Sequence, residues 1–210
     1  MKLQKIGGVA SIANAFLAAM WLVLIVVLFP RLGLAAPDDC MNPVKGIHAW
    51  AASPITFLVF DLEYILFSIT WLLTVLAFKE RMQADSPILT QVALIATAIS
   101  CALWIAAGIV AYTGKLPIIS AGDSSAYRAI MTVYFGLSNA GDHVYGWTFL
   151  IVAWVALKTA KLPRTLGCLL ILIGLIFLFD FLSAVLGVIG LGILVIVSLW
   201  IGIVLIGGKQ

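Results

Sequence analysis

Residues 165–206 read TLGCLLILIGLIFLFDFLSAVLGVIGLGILVIVSLWIGIVLI, a run in which Asp180 is the only charged side chain. A helix needs about 20 apolar residues to cross the hydrocarbon of a bilayer, so this stretch holds two crossings. It predicts spans over 165–185 and 188–206, joined at Leu186-Gly187 as a tight helical hairpin. If the glycine-containing stretch dips in and returns, the chain has five spans instead of six. The apolar residues are continuous and do not alternate, which excludes a β-barrel and leaves helices that satisfy their own backbone groups.

Outward from this hairpin, hydropathy marks four more spans, over 8–29, 54–78, 89–112 and 139–157. The chain is 64% hydrophobic and 10% charged, with a mean hydropathy of +1.20. So few polar side chains cannot cover a water-soluble globule of this size. The expected fold is all-α: a polytopic transmembrane helical bundle of about six spans, forming one transmembrane domain over residues 1–210. Two sizeable loops, 31–53 and 113–138, fall on one side of the membrane, and the connections on the other side are short.

The cations set the orientation. With both termini cytoplasmic, Lys2, Lys5, Lys79, Arg81, Lys158, Lys161, Arg164 and Lys209 lie inside, against Arg31, Lys45, Lys115 and Arg128 outside. This obeys the positive-inside rule and points to a multi-pass protein of the inner (cytoplasmic) membrane. Lys2 and Lys5 before an apolar run, with Leu34-Ala35-Ala36 behind it, resemble a secretory signal. The run exceeds a signal h-region and proline follows the cleavage-like site, so the first helix is expected to be a retained anchor.

The outer loops carry structure of their own. Pro37-Asp38-Asp39 and Asn42-Pro43 are turn formers ahead of His48 and Trp50. In the second loop Asp123-Ser124 can cap a helix on which Tyr127, Ile130, Met131, Tyr134 and Phe135 share a stripe. This predicts an outer-side amphipathic helix before the fourth span, either lying on the membrane or continuing that span as one long helix. Trp50, Trp147 and Trp200 read as interfacial anchors.

A charged side chain near mid-bilayer costs on the order of 2.5–3.5 kcal/mol, so the ionisable residues inside the spans ask for a reason. Asp61 and Glu63 lie in the second span, Asp142 and His143 at the mouth of the fourth, and Asp180 in the fifth. All map to the outer half, and an intramembrane polar pocket of Asp61, Glu63, Tyr64, Asp142, His143 and Asp180 that opens outward serves them together. Asp61, Tyr64, Ser68 and Trp71 form one stripe of the second span and Glu63, Thr70 and Thr74 another, which makes that helix central. Asp180 shares its face with Ser183, Ala184 and Gly187, small residues that allow close helix approach in lipid. Thr97, Ser100, Cys101 and Trp104 share a face of the third span.

No P-loop, GxGxxG, HExxH, GxSxG, CxxC or zinc spacing occurs, so no catalytic residue, metal ligand set or cofactor is predicted. Cys40, Cys101 and Cys168 fall at separate depths, unsuited to a disulfide. His48 and His143 sit at helix ends with no second histidine at i+4. A net charge of +3 belongs to the inner loops and implies no nucleic acid.

The stretch from Ala126-Tyr127 through Gly146-Trp147-Thr148-Phe149 to Leu162-Pro163-Arg164, Leu166-Gly167 and Gly174 resembles the later half of the bacterial integral-membrane family catalogued as domain of unknown function 4386. Lys5-Ile6-Gly7-Gly8-Val9-Ala10 and Phe78-Lys79-Glu80-Arg81 are similar to it too. The resemblance implies a bacterial membrane protein of six or seven helices and carries over no catalytic residue. Three functions follow as expectations. The first is a non-catalytic accessory or assembly component whose partners are membrane lipids and other membrane protein subunits. The second is a small proton- or cation-responsive carrier or sensor built on the carboxylate pocket. The third is a membrane enzyme or cofactor-binding subunit using His48 and His143.

Overall fold

The computed structural model describes residues 2–35 and 37–207. Its helices are α1 (Lys2–Val23), which runs through a π-helical segment (Leu24–Leu28) into α2 (Phe29–Arg31), then α3 (Pro43–Ala52), α4 (Pro54–Met82), α5 (Pro87–Ala121), α6 (Ser124–Thr159), α7 (Arg164–Phe179) and α8 (Ala184–Gly207). Short 3-10 turns occupy Pro37–Met41 and Asp180–Leu182. Six of these helical segments are long and apolar enough to cross a membrane, and the chain is an all-α, multi-pass bundle.

Local sequence explains the boundaries. Asn42, Ser53 and Ser86 each precede a proline that opens a helix, where its missing N–H costs nothing. Asn42 Oδ1 accepts from the backbone N–H of Val44 at 3.0 Å, and Asp123 Oδ1 caps α6 by accepting from Ser125 at 2.9 Å and Ala126 at 3.0 Å. Gly122, at φ +65°, ends α5 in the left-handed conformation that glycine adopts without strain.

Two expected boundaries move. The predicted loop 113–138 is almost entirely helical: α5 continues through Pro117 to Ala121, and the amphipathic stripe is the distal end of α6 itself, in one helix with the fourth span. The two helices pack along their length, with Gly114 so close to α6 that a Cβ there would stand 2.3 Å from Ile130 Cδ1. That packing carries α5 past a proline that propensity alone would make a stop. The hairpin turn lies at Asp180–Leu182, one turn earlier than Leu186-Gly187, because Asp180 and Ser183 supply the turn. The Ser183 N–H donates to the Asp180 carbonyl at 2.9 Å, and Ser183 Oγ accepts from the N–H of Val185 at 3.3 Å.

The spans form a closed circuit in which α1 packs on α4, α4 on α5, α5 on α6, α6 on α7, α7 on α8, and α8 back on α1. One end gathers Lys2, Lys5, Lys79, Arg81, Lys158, Lys161 and Arg164, and is called the basic end; Lys209 lies outside the described residues. Near this end glycines let backbones touch: a Cβ on Gly7 would stand 2.2 Å from Ala77 Cβ, and one on Gly8 2.6 Å from Ile206 Cγ1. Trp71, Tyr145, Phe149 and Phe177 fill the centre of the basic half. A second core, around Phe29, Trp50, Phe57, Phe60, Tyr127 and Tyr134, joins the distal ends of the spans to α3.

Candidate functional site

The unequal lengths of the helices create the site. The 16 residues of α7 rise about 24 Å from the basic end, to the level that Asp142 reaches on α6, while α6 runs on for 36 residues in all. The hairpin between α7 and α8 therefore stops at the depth of Asp142. Above the aromatic plug the centre of the circuit opens into a cavity of about 270 Å³ lined by residues of all six spans.

Its polar groups are Asn139 and Asp142 from α6, Tyr64 from α4, and Asp180 with Ser183 from the hairpin. Trp104 Nε1–H donates to Asp142 Oδ1 at 3.0 Å. Gly141 makes room for that indole, since a Cβ would stand 2.6 Å from its Cδ1, and Ser100 Oγ–H clamps the same turn of α6 by donating to the Gly141 carbonyl at 2.9 Å. Asp180 sits on the 3-10 turn, within electrostatic reach of both Asp142 and His143. Neither Asp142 nor Asp180 forms an ion pair among the described residues. Around them stand Trp21, Phe67, Tyr145, Phe177 and Phe181. Two carboxylates with no ion-pair contact among the described residues, ringed by aromatic faces, complement a cation with an apolar body.

A second cavity of about 150 Å³ lies distal to the first and shares the wall formed by Trp21, Ile25, Tyr64, Phe135, Asn139 and Asp142. Lys115 belongs to its lining. The Lys115 ammonium donates to Asp61 Oδ1 at 3.1 Å and lies 5.0 Å from the centre of the Tyr134 ring. Tyr134 O–H in turn donates to Tyr64 Oη at 3.1 Å. Trp50 is buried in the lining of this cavity, so the interfacial-anchor reading does not hold for it; Trp147 is exposed.

The structure thus brings Tyr64, Asp142 and Asp180 to one cavity and connects Asp61 to its neighbour through Lys115. Glu63 and His143 line neither. His143 is exposed. Glu63, 1% exposed, sits on the stripe of α4 that faces α1, where Thr70 Oγ1–H donates to Asn14 Oδ1 at 2.6 Å. Both Glu63 carboxyl oxygens lack a hydrogen-bond partner. Sequence reasoning missed Lys115 as a site residue; its signal was a lone cation between apolar segments, read as one of the outer cations in the predicted loop 113–138. Among the described residues, no group of three or more His, Cys, Asp or Glu side chains is placed to hold a metal ion. Among the described residues Cys40, Cys101 and Cys168 form no disulfide.

No family model matches the chain, and no curated protein or solved structure matches it.

Proposed function

We propose that this protein is a small carrier or sensor that takes a cation from the side opposite its basic end and holds it between Asp142 and Asp180. The observation that carries this reading is the pair of carboxylates, without ion-pair partners among the described residues, facing an aromatic-lined cavity within the bundle. An intramembrane carboxylate without a cation is expensive, and a bound ammonium group supplies the missing charge. Two departures from α-helical geometry adjoin the same cavity: the π-helical segment, which contributes Ile25, and the 3-10 turn, which contributes Asp180. Interruptions of this kind are where a helix changes shape with the least disruption, which suits a site whose occupancy alters packing. The inner membrane, cytoplasmic termini and the bacterial family named above form part of the same proposal.

The test is calorimetric titration of phenethylammonium into the protein in lipid nanodiscs, with empty nanodiscs as blank. Saturable binding that weakens at least about tenfold in Asp142→Asn supports the reading. Equal binding by wild type and variant, both eluting as folded monodisperse protein, refutes it.

A second reading is an accessory subunit. Position 192 of α8 favours it, since a Cβ at that glycine would meet nothing within 4 Å and Ile189 and Ile196 beside it are exposed, leaving a helix surface open to close packing by another membrane protein.

A further inference from the structure

The space that holds Asp142 and Asp180 has a floor and a roof but lacks part of its wall. Trp71, Tyr145, Phe149 and Phe177 form the floor. The roof is α3 with the turn before it, which α6 holds in place: Tyr127 O–H donates to the Cys40 carbonyl at 3.2 Å, and Gly46 leaves room for that hydroxyl. Trp50, Phe57 and Tyr127, all buried, fill the space beneath α3 and cover the route from the distal end. The side of the bundle is built differently. Residues of α1 and α6 both line the cavity, yet no packed seam joins these two helices, and the hairpin of α7 and α8 stands between them. Because that hairpin stops at the depth of Asp142, the interval between α1 and α6 beyond it is uncovered.

The lip of this opening is apolar and faces outward. Phe181 and Leu182 line the cavity and are nevertheless 57% and 66% exposed. Val185 next to them is exposed, and so is Val26 on the α1 side, beside the lining residue Ile25. The rise of about 24 Å along α7 falls short of the ~30 Å of hydrocarbon, so the lip stands among acyl chains and not in water. Asn139, nearly one turn distal to Asp142, is the exposed polar group at the mouth. Carboxylates inside and hydrocarbon outside suit a molecule with both characters. Its ammonium is drawn to the aspartates, and every methylene that stays in lipid avoids a cost of about 0.8 kcal/mol in water.

We propose that the ligand is a cationic amphiphile, a long-chain primary amine, whose ammonium group lies at Asp142 and Asp180 and whose aliphatic chain leaves the bundle between α1 and α6, over the hairpin tip, into the distal leaflet. This rests on the cation-binding reading above and names its substrate class.

Photolabelling in phosphatidylcholine vesicles tests it. The probe is octadecylammonium with a diazirine in the first third of its chain, and the matching octadecanol probe controls for partitioning of the chain. The amine labels the peptide containing Phe181 and Leu182 at least about fivefold more than the alcohol does, and excess phenethylammonium or Asp142→Asn abolishes the difference. Equal labelling by amine and alcohol, or an excess that phenethylammonium does not displace, overturns the amphiphile; the cation site stands if calorimetric binding of phenethylammonium still depends on Asp142. If phenethylammonium does not bind and the amine shows no excess, the cation site falls and the amphiphile with it. The competition on wild-type protein decides the matter even where Asp142→Asn does not fold.

Discussion

Lys115 and Asp61, fifty-four residues apart in the chain, meet as an ion pair whose side chains are 3% and 0% exposed, and the contact ties the distal part of α5 to α4. The pair is closed off from water on both sides, so its members depend on each other. Breaking such a pair by removing one partner costs about 3–5 kcal/mol, whereas replacing both with apolar residues of similar volume is often close to neutral. Asp61→Leu and Lys115→Met should each lower the thermal midpoint of the detergent-solubilised protein, and the double variant should recover most of the loss. Additive losses in the double variant would show that the two side chains stabilise the fold independently.

The glycines divide by what surrounds them. A Cβ on Gly146 would stand 2.7 Å from the Gly174 carbonyl oxygen, and one on Gly174 3.0 Å from that of Gly146, so α6 and α7 touch through their backbones. Gly146→Ala should separate them and cost stability by the amount the seam must open. At Gly136 nothing lies within 4 Å of the added carbon. Gly136→Ala should therefore stabilise α6, by up to about 1 kcal/mol from helix propensity. Thermal unfolding of the two single variants against wild type tests the opposite signs.

Trp104 positions Asp142 through one hydrogen bond of 3.0 Å. Trp104→Phe keeps a ring beside Gly141 but frees the carboxylate to rotate, and phenethylammonium affinity should fall about fivefold. Trp71 is also a buried indole, and its N–H has no partner. Trp71→Phe should leave that affinity unchanged, and equal effects from the two substitutions would show that the loss reflects core packing and not placement of the carboxylate.

Orientation in the membrane is open to direct labelling. Ser125, at the distal end, and Gln83, at the basic end, are both exposed and uncharged. In a Cys168→Ser background, a membrane-impermeant maleimide should modify Ser125→Cys in intact cells and Gln83→Cys only after the membrane is opened. The reverse pattern would place the basic end outside.

The bundle was legible because the spans are marked by composition: the stretch around Asp180 reads as two crossings from hydropathy alone. The helix face that Asp180 was expected to share with Ser183, Ala184 and Gly187 does not form, because the turn at Asp180–Leu182 interrupts the helix, and it is that turn that sets Asp180 at the cavity. The meeting of Asp142 with Asp180 at one depth depends on the length of α7 and on where its turn falls, which Asp180 and Ser183 fix by hydrogen bonds that periodicity does not reveal. Lys115 was hidden for a related reason. Gly114 and Pro117 are breakers by local propensity, and only the packing of α5 on α6 keeps this stretch helical and carries the ammonium to Asp61. Glu63 and Asp61 lie two residues apart, yet α4 turns one to α1 and the other to α5, so adjacency in sequence placed them in one pocket that the fold divides.

The π-helical segment Leu24–Leu28 acts as a phase shifter. Trp21 and Phe29 are eight positions apart, which in an unbroken α-helix puts them about 80° out of alignment, whereas a single wide turn absorbs one residue and brings them to within about 20°. Both consequently reach the same ring, with centroids 3.8 Å and 5.5 Å from that of Phe60. Deleting one residue from this segment would restore a regular helix and still span the bilayer. It would also keep Trp21 and Phe29, then seven positions apart, at the same relative angle, whereas tightening the turn with every residue kept would rotate everything before it by about 100° relative to Phe29, so the wide turn is what lets one helix serve the proximal cavity and the distal core at once.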